Sequence, residues 1–232
     1  MLSRVGLVSS TITLGLLFGS LWTAAEAQET GGATPDPSVF VETFDSGDPD
    51  AMLGGQLDLT TNEADDWDIF VSDGKFVVEN RSVAQSVYYN DVSWVKYPDS
   101  GALEPTEGSV ISAIVESRNK GSGGGGIYFG NGVAGSYLAF LVDAEGQYHV
   151  IRKQNGRVER LNSGKSDAIL AGKPNEVALA WRGKSLVFFA NDVEVISVPH
   201  TFTSERGEGG LGLAAFGIGT YLYDRVEFSR AN

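Results

Sequence analysis

Cysteine is absent from this chain of 232 residues. No disulfide can staple the fold, no thiolate can serve as nucleophile or metal ligand, and no lipid can be attached at an N-terminal cysteine. Histidine is almost as scarce. His149 and His200 stand about 50 residues apart, with no His-x-x-His or His-Glu pair beside either, so neither a zinc site nor a Ser-His-Asp triad is suggested. Positive charge is short too: 17 basic residues face 30 acidic ones, and a net charge of −13 argues against nucleic acid as a partner, because phosphate binding needs a basic surface. Helical periodicity is nearly missing, and only Ser166–Leu170 reads as a single turn.

What the chain does have begins with a targeting signal. Within residues 1–27 the only basic residue is Arg4, which precedes a mostly apolar run from Val5 to Trp22 and then Ala25-Glu26-Ala27, small residues that fit a signal peptidase cleft. A cleavable secretory signal over 1–27 is expected, which places the mature chain outside the cytoplasm, periplasmic or secreted, with no integral membrane span after cleavage. An uncleaved anchor is the alternative, countered by Gly6, Gly15 and Gly19 and by the hydroxyl residues within the run. Residues 28–38, QETGGATPDPS, are polar and rich in Gly and Pro and read as a flexible leader. Residues 39–232 then form a single domain, long enough to bury a core without disulfides.

Within that domain the grammar is that of antiparallel sheet. Phe40, Glu42 and Phe44 alternate with Val41 and Thr43. Residues 67–71 and 75–79 flank a Ser-Asp-Gly turn, and weaker strands are expected at 84–89 and 93–96. From about residue 107 the pattern sharpens, with strands at 109–118, 126–129, 136–142, 147–153, 157–161, 176–181, 185–190, 194–198, 211–216 and 220–228. Asn155-Gly156, Arg182-Gly183-Lys184 and Asn191-Asp192 are hairpin-sized connectors. Gly121 to Gly126 lacks the Gly-Lys-Ser/Thr ending of a phosphate loop, and a flexible hairpin connection is expected there. Many short strands in steady succession predict an all-β, antiparallel two-sheet jelly-roll sandwich.

The order of landmarks from Val110 to Phe228 resembles the concanavalin A-like lectin/glucanase superfamily, in particular its laminin-G-like bacterial modules. The landmarks are Gly126-Ile127-Tyr128-Phe129-Gly130; Tyr137 with Phe140 and Val142; Gly146-x-Tyr148-x-Val150-x-Arg152; Asn175-x-Val177-x-Leu179; Phe188-x-Ala190-Asn191; Gly209-x-Leu211-Gly212-Leu213; and Tyr223-Asp224-x-Val226-x-Phe228. Phe44-Asp45 looks like the first strand that such domains pair with their last. The resemblance implies a sandwich whose members include carbohydrate-binding modules, glycan-cleaving enzymes and adhesion domains, so it implies fold more than activity.

Glucanases of that superfamily carry Glu-x-Asp-x-(x)-Glu on one strand face. The only approximation is Glu63-Ala64-Asp65-Asp66-Trp67-Asp68, which ends in Asp rather than Glu and lies in a polar segment. No catalytic residue is therefore assigned. Sugar binding needs an aromatic platform and polar groups for hydroxyls. The candidates are Trp94, in a polar segment, with Tyr137, Tyr148, His149 and Arg152; Tyr88, Tyr89 and Trp181 are further aromatics that strand packing explains as well. If Tyr148 and Val150 face the core, His149, Ile151 and Lys153 face outward, and Tyr137 on the adjacent strand joins them. Asp45, Asp48 and Asp50 place hard oxygen donors on one turn, the chemistry of a structural Ca2+, although an ordinary acidic turn has the same composition. The resemblance implies such an ion between the first and last strands, which would add Asp224.

These readings converge on an exported, non-catalytic module that binds a glycan or a cell-envelope component. Two alternatives stand beside it. One is a polysaccharide-acting hydrolase or lyase using Glu63, Asp65 or Asp68 with Glu79 or Glu116. The other is a structural or adhesion domain meeting a protein partner through an exposed strand edge.

Overall fold

The computed structural model of the protein describes residues 39–46, 67–81, 107–119, 121, 123–130, 137–154, 157–199 and 211–229, and the backbone alone at 87–91, 96–97 and 101–102. All of them belong to one compact unit, Asp36–Asn232. The expected signal and leader, together with Asp48, Asp50, Glu63, Asp65, Trp94 and His200, lie outside the described residues.

Alternation builds the layers. In β7 (Val110–Asn119) the odd positions Ile111, Ala113, Val115, Ser117 and Asn119 are buried, and the even positions are more open. Period-2 burial of this kind turns one face of each strand toward a core. Among the described residues the strands form two large antiparallel sheets. The first runs in the order β14 (Val193–Pro199), β13 (Ser185–Ala190), β12 (Asn175–Arg182), β7, β16 (Gly219–Ser229), β3 (Lys75–Asn80), β2 (Trp67–Ser72). The second runs β11 (Arg157–Lys165), β10 (Gln147–Gln154), β9 (Tyr137–Val142), β8 (Gly124–Gly130), β15 (Leu211–Phe216), β4 (Val87–Asp91). A short pair, β5 (Lys96–Tyr97) with β6 (Gly101–Ala102), stands apart. No described residue is helical, and Ser166–Leu170 makes only turns, with Ile169 N–H donating to Ser166 C=O at 3.0 Å. The fold is the all-β two-sheet sandwich that the strand pattern predicts.

The two inner faces share one core that includes Phe76, Ile111, Phe129, Phe140, Val150, Phe188, Leu213 and Phe228. Phe140 of the second sheet stacks on Phe188 of the first at 5.0 Å, so the layers interlock through rings. As the resemblance implies, β1 (Val39–Glu42) pairs with the last strand, from Val39 opposite Ser229 to Glu42 opposite Val226. The strand stops there, because Phe44 takes a left-handed φ of 59° to lay its buried ring on Phe76 at 5.6 Å.

Two expectations need correction. The glycines at 124–126 are no flexible connection: they open β8, a strand buried along its whole length. A Cβ on Gly126 would lie 2.0 Å from the Phe140 carbonyl oxygen, and one on Gly125 would lie 2.8 Å from Val115 Cγ2. Glycine is needed because a Cβ here would collide with the neighbouring strand and with the Val115 and Tyr221 side chains, and hydroxyls from the first sheet also reach this backbone. Ser117 Oγ accepts the Gly125 N–H at 3.0 Å and donates to Val142 C=O at 2.6 Å, while Tyr223 OH accepts the Gly126 N–H at 3.1 Å and donates to Ala214 C=O at 2.6 Å. In addition, β11 continues to Lys165, four residues past the expected end. Asn162–Lys165 is polar and shows no apolar alternation, yet its backbone pairs with β10 out to Gln147.

Candidate functional site

The outward faces of the two sheets differ in chemistry. On the first sheet, charges are neutralised along and across strands. Arg81 Nη2 lies 2.9 Å from Glu79 Oε2 and 3.3 Å from Asp68 Oδ2, Arg118 Nε lies 2.6 Å from Glu116 Oε1, and Arg225 pairs with Glu227. Asp68 and Glu79 are direct cross-strand neighbours. The Arg81 hydrogen bond holds the Glu79 carboxyl below its ordinary value.

On the second sheet the outward positions of β8, β9 and β15 are largely apolar. Tyr128, Tyr137, Ala139, Leu141, Ile151, Ala214 and Phe216 form a buried cluster separate from the main core. Cross-strand pairing puts Tyr137 opposite Lys153, Ala139 opposite Ile151 and Leu141 opposite His149. Tyr137 packs on Tyr128 at 5.6 Å, and Lys153 Nζ stands 6.0 Å from the centre of the Tyr137 ring. The His149 side chain is 5% exposed and Asp143 2%, with His149 Nε2 2.9 Å from Asp143 Oδ2. The other oxygen of Asp143 accepts the N–H groups of Glu145 and Gln147 at 3.0 and 2.7 Å, which shapes the turn between β9 and β10.

The candidate binding residues thus divide. Tyr137 and His149 share the outward face with Ile151 and Lys153, both largely shielded from solvent. Tyr148 has the opposite parity: its ring lies 6.2 Å from Phe140 and covers Gly164, and its exposed hydroxyl donates to Asn162 Oδ1 at 3.1 Å. Arg152 follows the same parity at the end of the hairpin and meets Glu159 Oε2 at 2.6 Å. Trp181 Nε1 donates to Gly183 C=O at 2.8 Å, and its ring meets Phe129 edge-on at 6.2 Å. Tyr88 and Tyr89 lie in β4 opposite Ala215 and Ala214.

Of the calcium donors, Asp45 is exposed, its Oδ1 2.6 Å from where a Cβ on Gly74 would sit, and Asp224 Oδ1 pairs with Lys75 Nζ at 3.0 Å. Among the described residues no three His, Asp or Glu side chains converge as metal ligands.

Sequence reasoning missed two features. Asp143 reads as the first residue of a turn, and only the return of β10 brings His149 onto it. The other is a cleft of about 540 Å³ at the end of the β10–β11 hairpin, lined by Arg152, Gln154, Arg157, Val158 and Glu159. The excess of cations between 147 and 165 was the signal for it.

No family model matches the sequence, and no curated protein sequence matches it. Among solved structures the chain is similar to the carbohydrate-binding module CBM66 from Bacillus subtilis, at 17% identity and a TM-score of 0.45, covering 70% of this chain and 91% of that one. It is also similar to a glycoside hydrolase family 16 endo-glucanase from Bacteroides ovatus, at 10% identity and a TM-score of 0.47, covering 84% and 96%. A third is the catalytic domain of an endo-1,3-beta-glucanase from Thermotoga petrophila, at 8% identity and a TM-score of 0.49, covering 88% and 95%. Likeness of this extent transfers no residue role and no activity to this chain.

Proposed function

We propose that this chain is an exported, non-catalytic sandwich that binds a glycan reversibly at the rim built by β10 and β11. The observation that carries the proposal is the cleft at the hairpin end. There Arg152 and Glu159 form a hydrogen-bonded pair, Gln154 and Arg157 add an amide and a guanidinium, and Val158 supplies an apolar surface. Sugars are held by such a set, with directed polar groups for hydroxyls and an apolar patch for the ring face. The hydroxyl of Tyr148 and the Asn162 amide extend the same polar rim along β11.

Two features weigh against the competing readings. Arg81 pairs with Asp68 and Glu79 and lowers the Glu79 carboxyl, the opposite of the shift a general acid needs. One edge strand of each large sheet, β11 and β14, lies beside a register shift, at Val150/Ile151 and at Phe188/Phe189, which breaks up that edge against extension by a partner strand. Export and a structural Ca2+ held by Asp45 and Asp224 with Asp48 and Asp50 belong to the same proposal.

A glycan array of neutral and acidic oligosaccharides, run with and without calcium, tests it. Retention of at least one glycan, lost in Arg152→Ala and Gln154→Ala proteins that still fold, is the expected result. An array with no retained glycan removes the reading, and release of reducing sugar from a bound polymer replaces it with the hydrolytic one.

A further inference from the structure

Residues 147–165 hold five cations, Arg152, Lys153, Arg157, Arg160 and Lys165, against one carboxylate, Glu159, in a chain whose net charge is −13. The lone carboxylate is already taken, since Glu159 pairs with Arg152 at 2.6 Å. Arg157, Arg160 and Lys165 are exposed and form no ion pair among the described residues. The register aims them. Arg160 stands opposite Ile151 and Lys165 opposite Gln147, on the side of β10 that carries Lys153, whereas Arg157 stands opposite Gln154 on the side of Arg152 and the cleft.

From this we infer that the β10–β11 hairpin is a cationic docking arm for a polysaccharide bearing carboxylate or sulfate groups. The inference rests on the glycan-binding reading above and names the chemical class of its ligand. Local positive charge in an otherwise acidic chain steers an anionic partner to this edge. Spacing favours a polysaccharide over nucleic acid. A duplex presents a charge about every 1.7 Å, whereas Arg160 and Lys165 stand opposite Ile151 and Gln147, four residues apart on β10 and so roughly 13 Å. That interval suits a polymer charged once per sugar or less often, and the acidic remainder of the chain repels denser polyanions.

The test uses the purified protein with polygalacturonate, the same polymer fully methyl-esterified, chondroitin sulfate, anionic phosphatidylglycerol vesicles and poly-dT, with affinities measured by calorimetry at several salt concentrations. Polygalacturonate or chondroitin sulfate is expected to bind, with an affinity that falls as salt rises. Esterification should weaken binding at least about tenfold, and a protein carrying Arg157→Glu with Arg160→Glu should lose about tenfold or more while unfolding at the same denaturant concentration. Equal binding of the esterified polymer, or no effect of charge reversal, overturns the inference and leaves glycan binding standing. Tighter binding to vesicles or poly-dT than to either acidic polysaccharide also overturns it. Failure of both acidic polysaccharides to bind overturns the inference, while the glycan array decides the glycan-binding reading on its own.

Discussion

His149 Nε2 lies 2.9 Å from Asp143 Oδ2, with both side chains shielded from solvent. A carboxylate only accepts, so Nε2 donates, and Nδ1 is left buried with no hydrogen-bond partner among the described residues. Asp143 also holds two amides of the turn. Asp143→Ala should therefore leave several donors unpaired and cost about 3 kcal/mol in urea unfolding. His149→Leu, which removes the orphaned nitrogen along with the donor, should cost clearly less. Equal costs would mean that the turn amides contribute nothing.

The Tyr223 hydroxyl joins the two sheets by accepting from Gly126 and donating to Ala214. Tyr223→Phe keeps the ring and removes the bridge, so a loss of about 2 kcal/mol is expected. Faster hydrogen exchange at the Gly126 amide is the specific signature. Unchanged exchange there would show that the ladder, and not the hydroxyl, protects this amide.

Gly126→Ala places a methyl group 2.0 Å from the Phe140 carbonyl oxygen. Backbone must move apart to accept it, so a loss of about 3 kcal/mol or failure to fold is expected. Gly164→Ala meets only the Tyr148 ring, at 3.1 Å, and should be milder. Circular dichroism melts of the two proteins decide the ranking.

Arg81 holds the Glu79 carboxyl below its ordinary value of 4.5. A depressed carboxylate contributes stability above its unfolded value and loses it as pH falls through the folded one. The native protein should thus exceed Arg81→Ala in stability at neutral pH by a small, salt-sensitive margin, since the pair is exposed. The margin should vanish in acid, and urea titrations across pH 2–7 would detect a persistent one.

Local chemistry made much of the sandwich legible. The Ser-Asp-Gly turn between β2 and β3 forms with Asp73 and Gly74 at φ 52° and 68°, and Asn191-Asp192 turns β12–β13 toward β14 at 48° and 66°. These residues tolerate positive φ without help from elsewhere. The pairing order was not legible. β7 lies beside β16, with Val110 opposite Ser229, because both bury one face against the same core, and no local signal records that choice. The site was the least legible part. Tyr137, His149, Tyr148 and Arg152 all look like candidates by residue type, and parity splits them between two sides of one sheet.

By itself the amino-acid order determined strand periodicity, turn chemistry, an acidic surface and a concentration of cations between 147 and 165. Each depends on neighbours a few residues apart, and period-2 alternation needs no tertiary information. Only the tertiary structure decided that Ser117 and Tyr223 would reach the glycine backbone of β8, that Asp143 would lie under His149, and that Glu159 would be consumed by Arg152 and leave Arg157, Arg160 and Lys165 exposed. Those contacts follow from closing one sheet over the other, where burial of distant apolar faces sets which polar groups meet.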